Sequence, residues 1–63
     1  MKDKQRLWTH IDHKNEACFE IVRLDWRAAA EHFEKAKEKA PTEPDRELYE
    51  NLRQAMLTRA GYH

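Results

Sequence analysis

The chain has 63 residues, sets 12 Lys and Arg against 12 Asp and Glu, and holds one Cys, one Gly and two Pro. No run approaches the ~18 apolar residues of a membrane span, the Met1–Arg6 start leads into mixed charge without a signal-peptide core, and one Cys cannot staple a fold internally. Residues 1–31 and 32–63 each carry six bases and six acids, so no basic stripe marks a nucleic-acid partner.

The first 24 residues contain two segments rich in β-branched and aromatic side chains, Leu7-Trp8-Thr9-His10-Ile11 and Cys18-Phe19-Glu20-Ile21-Val22. Such composition favours strands. Between them, Asp12 suits the first position of a type I turn and Asn15 tolerates a left-handed bulge, so a β-hairpin is expected over about 6–23. In that register Leu7, Thr9, Ile11, Ala17, Phe19 and Ile21 share the face turned to the core. Trp8, His10, Asp12, Cys18, Glu20 and Val22 share the other. The alternative is a helix from about Asp12 to Leu24, in which Ala17, Cys18, Ile21 and Val22 keep helical spacing while Phe19 and Leu24 fall off the stripe.

From Asp25 the pattern becomes helical. Trp26, Ala29, Ala30, Phe33, Ala36 and Ala40 recur at steps of three and four, which puts them on one stripe of a helix over about 26–40. Asp25 suits the N-cap, Lys37 and Lys39 suit the negative end of the helix dipole, and Pro41 stops the run. Thr42 then caps a helix over about 43–60, with Pro44 in its first turn, an apolar stripe of Leu48, Tyr49, Leu52, Ala55, Met56 and Ala60, and Gly61 as its stop. The short connection makes these two helices antiparallel neighbours. The expected fold is therefore α+β, an N-terminal β-hairpin followed by a two-helix hairpin in a single domain, 1–63, with an all-α three-helix arrangement as the alternative.

Thirteen large apolar side chains make only a thin core, and a chain of this size is marginal as a monomer. Self-association as a homodimer is the expected remedy. An exposed Trp8 beside Val22 on the outer hairpin face is the kind of patch that marks an interface, and Tyr49 and Tyr62 complete the candidate contacts. His10, His13, Cys18 and His32 form the one group with metal-ligand chemistry, and the hairpin sets His10 across from Cys18. Their spacing matches no zinc module, and neither metal nor cofactor is assigned. Catalysis is not expected: Cys18, His10 and Asp12 would lie on a flat face, and there is no Gly-rich phosphate loop.

The stretch from Asp25 to Pro41 resembles the second helix of a tetratricopeptide repeat, with Asp25, Trp26, Ala29, Phe33, Ala36 and Pro41 at that family's spacing. The helix with Tyr49, Leu52 and Met56 is similar to the first helix of a next repeat if two extra residues follow Pro41, so the resemblance covers about residues 25–60. Upstream, Leu24 stands where the family expects glycine, and Glu16 and Glu20 fall at positions expected to be apolar. The resemblance implies an all-helical fold and protein–protein binding. Together these readings point to a small, cytoplasmic, non-enzymatic interaction or adaptor module acting as a homodimer. A small nucleic-acid-binding regulator and a metal-stabilised domain are the alternatives.

Overall fold

The computed structural model describes residues 7–61. It contains three helices, α1 His10–Val22, α2 Trp26–Lys39 and α3 Glu43–Arg59. No strand occurs among the described residues, which overturns the expected hairpin and the α+β class.

The N-terminal segment is helical because its first turn is capped from both sides. The Thr9 hydroxyl accepts the Asp12 N–H at 3.4 Å, and the Asp12 carboxylate accepts the Thr9 N–H at 2.9 Å. This reciprocal box satisfies two backbone donors that a helix otherwise leaves unpaired. Asp12 thus caps a helix instead of starting a turn. Ile11, Ile21 and Val22 lower helix propensity by only about 0.5 kcal/mol each, an amount that packing overrides. Ala17 and Ile21 turn inward onto α2, whereas Leu7, Ile11 and Phe19, which the hairpin register sent to the core, are exposed.

At its other end α1 closes with two crossed backbone bonds, Leu24 N–H to the Ile21 carbonyl at 2.9 Å and Asp25 N–H to the Glu20 carbonyl at 2.8 Å. This pattern requires a left-handed residue at Leu24, whose φ is 63°. Glycine takes that conformation freely, and a side chain there costs about 1–2 kcal/mol. Leu24→Gly is accordingly expected to raise unfolding free energy by about 0.5–1 kcal/mol, after the added freedom of the unfolded glycine is subtracted. Urea denaturation checks this, and an unchanged or lower midpoint would contradict the strain at Leu24.

The remaining boundaries follow their caps. Asp25 accepts the Ala28 N–H at 3.2 Å and Thr42 accepts the Asp45 N–H at 3.4 Å. Gly61 follows α3 with φ 96°.

Helix α2 packs against α1 on one side and α3 on the other, while the α1 and α3 backbones do not approach each other. The result is a layer of 31 × 29 × 16 Å. Ala29 and Ala36, two turns apart on one stripe of α2, are fully buried, and their small size lets the neighbouring helices approach closely. Phe33 and Met56 fill the space that the alanines leave, with Ile21, Trp26, Leu52 and Leu57 packed around them. Two further ties hold α3. The Arg59 guanidinium lies 5.3 Å over the Trp26 ring, and Glu50 accepts from Lys37 at 3.0 Å, from Arg53 at 3.0 and 3.2 Å and from Gln54 at 2.7 Å. The Arg53, Gln54 and Lys37 donors, in that order, hold the Glu50 carboxyl at about 2.

Candidate interaction face

Two features of α1 stand apart from the core: an apolar outer face, and a polar seam where its inner face meets α2. The outer face follows from helical geometry. Ile11, Asn15, Cys18 and Val22 are spaced four, three and four residues apart, so they line one stripe along the helix. Phe19 lies beside it. Val22 is 80% exposed and Phe19 63%, and Leu7 and Leu24 extend the exposed apolar surface at either end. Asn15, Cys18, Phe19 and Val22 line an open depression of about 340 Å³. Six of the thirteen large apolar groups are thus exposed, and five of the six lie on or beside α1. Exposed apolar residues scattered singly are ordinary, whereas here Ile11, Cys18, Phe19 and Val22 gather on one side of α1.

On the inner side, His13 is 1% exposed and neither ring nitrogen has a hydrogen-bond partner. Trp8 caps it at a ring separation of 5.0 Å and His32 lies at 5.8 Å. Burial, followed by the Lys39, His32 and Lys35 charges, pushes the His13 imidazole below its ordinary value, against a weaker opposite pull from Asp12. Trp8 also stacks over His32 at 6.3 Å, and its carbonyl accepts from the Lys39 ammonium at 2.8 Å.

The four residues singled out as contacts scatter. Val22 stands on the outer face. Trp8 is half-buried over the histidines, and Tyr49 is buried in α3, where its hydroxyl shares a 2.8 Å hydrogen bond with His10 Nδ1. Burial, then the Asp45 charge, raises the Tyr49 phenol, so it stays neutral. Tyr62 lies outside the described residues. The candidate ligands separate as well: His10 bonds Tyr49, Cys18 is free on the outer face, and His13 pairs with His32. Sequence reasoning missed Ile11 and Phe19 as surface residues, because a strand register turns them inward.

No family model, curated protein or solved structure matches the chain. The geometry therefore carries the functional reading alone. Among the described residues no helix is long and apolar enough to cross a membrane. The three helices are observed, but nothing in the comparisons identifies a tetratricopeptide repeat.

Proposed function

We propose that the chain is a small non-enzymatic interaction module that self-associates through the outer face of α1. The observation that supports it best is the stripe Ile11, Asn15, Cys18 and Val22, with Phe19 beside it. A second copy is the occupant that its pattern fits. Antiparallel pairing about a two-fold axis sets Ile11 against the partner's Val22 and Asn15 against the partner's Cys18, a self-complementary arrangement. Charge favours the same orientation. Asp12 and Arg23, eleven residues apart, fall on one flank at opposite ends of the helix, so antiparallel copies place acid beside base. A cytoplasmic setting fits Cys18, which is free. The tetratricopeptide-like pattern of residues 25–60 points to the same class, protein–protein binding.

Sedimentation equilibrium tests the proposal. The expected mass is twice that of the chain at tens of micromolar, and V22D together with F19E should restore the single-chain mass. Both side chains are exposed, so the variant should keep its helical circular dichroism. Oxidation of N15C should link it to the partner's Cys18. A single-chain mass across the whole concentration range would reject self-association.

A further inference from the structure

Helix α1 carries two carboxylates on the side that meets α2. Glu16 and Glu20 are one turn apart, on the same flank as buried His13 and Ala17, and both are partly buried. A helix seam is an expensive place for an anion unless something positive or hydrogen-bonding meets it. The chain supplies little. Glu20 has a 3.8 Å contact with the exposed Arg23 guanidinium, and no hydrogen bond or ion pair joins Glu16 to another described residue. Two carboxylates held this close also repel each other.

The other side of the seam supplies a nitrogen. His32 on α2 comes within reach, and one ligand atom from each of Glu16, Glu20 and His32 lies within 4.8 Å of the others. His32 Nδ1 is buried with no hydrogen-bond partner, and the adjoining His13 leaves both of its nitrogens unsatisfied. A histidine with an unpaired buried nitrogen, within reach of two carboxylates, describes a polar site that the protein alone does not complete.

We propose that Glu16, Glu20 and His32 form a binding site for a divalent transition-metal ion of the zinc class, bridging α1 and α2. One imidazole nitrogen and two carboxylate oxygens are the donors that such an ion accepts, whereas calcium needs six or more oxygens. Bonds of about 2.1 Å bring tetrahedral ligand atoms to about 3.4 Å from one another. Closing from the 4.8 Å spread to that spacing would call for rotation of the glutamate side chains about their flexible torsions. Three protein ligands leave the fourth position to water. The ion would neutralise the carboxylate pair and tie two neighbouring helices.

The test uses the full chain in a Cys18→Ser background, which removes the exposed thiol as a competing ligand. Calorimetric titration with Zn²⁺ should give one site per chain in the micromolar range or tighter. Co²⁺ should develop visible d–d absorption, and Mg²⁺ and Ca²⁺ should not compete. E16Q, E20Q and H32Q should each weaken Zn²⁺ binding by about tenfold or more, with circular dichroism confirming that the helices remain. E31Q, an exposed acid elsewhere on α2, should leave affinity unchanged and serves as the control. Absence of saturable binding below about 1 mM, or equal affinity in all the variants, would overturn the site.

Discussion

Phe33→Ala is expected to leave the chain largely unfolded at 37 °C. Phe33 is 2% exposed and is the largest side chain among the fully buried residues. Five of the seven other buried residues of its core are alanines, which cannot extend into the space it would vacate. Truncating a buried Phe typically costs about 3–5 kcal/mol, the sum of lost transfer energy and the cavity left behind. A domain of this length has roughly that much stability in total. Urea unfolding followed by circular dichroism checks the outcome. Phe33→Leu keeps most of the volume and should cost only about 1 kcal/mol, so it separates a packing loss from a general intolerance of change. A cooperative transition near the wild-type midpoint in Phe33→Ala would show that the core lies elsewhere.

Acid should destabilise the protein through His13. Its folded-state affinity for a proton is depressed, and its unfolded value is 6.5. As pH falls through 6.5, the unfolded chain takes up a proton that the native chain resists. Stability from the neutral imidazole is therefore present above that pH and declines below it, with a slope of at most about 1.4 kcal/mol per pH unit. The groups facing His13 reinforce the sign: Lys35, Lys39 and His32 all disfavour a second positive charge, and Asp12 alone favours it. His13→Leu should remove this acid sensitivity. It should also raise stability at neutral pH by about 1 kcal/mol, since it replaces two unsatisfied nitrogens with apolar volume. Denaturant titrations between pH 7.5 and about 5, run with a chelator, measure both effects. Parallel pH profiles for wild type and His13→Leu would refute the role of this imidazole.

Helices α2 and α3 were legible because their punctuation is local. Asp25, Thr42, Pro41 and Gly61 act on the backbone within a turn of themselves, and each acts as its residue type suggests. Helix α1 was not legible for the opposite reason. Its apolar residues serve two faces: Ala17 and Ile21 pack on α2, while Ile11, Phe19 and Val22 point outward. Superimposing two stripes erases a clean helical period and mimics a strand's composition. Phe19 and Leu24, which counted against the helix because they fell off the stripe, are exposed for that same reason. The signal that could have decided the matter was Thr9 three residues before Asp12. Val22 falls on the outer face in the hairpin register and is exposed in the helix as well, although the helical alternative keeps it on the apolar stripe. The environment of Tyr49 depends on the His10 side chain at the start of α1 reaching its hydroxyl across α2, which no local pattern encodes. Glu16 and Glu20 were visible only as a mismatch with a repeat pattern, and their chemistry emerged once α2 brought His32 alongside.

The order of the three helices has a kinetic corollary. Since α2 touches both neighbours and the outer helix backbones do not approach each other, most pairings join adjacent segments of the chain. Such low contact order favours folding within microseconds to milliseconds. Either hairpin, α1 with α2 or α2 with α3, can form first and offer α2 as the template for the remaining helix. Two nucleation routes then lead to one native layer. A substitution confined to the α3 side, such as Met56→Ala, would mainly accelerate unfolding while the route through α1 and α2 still operates.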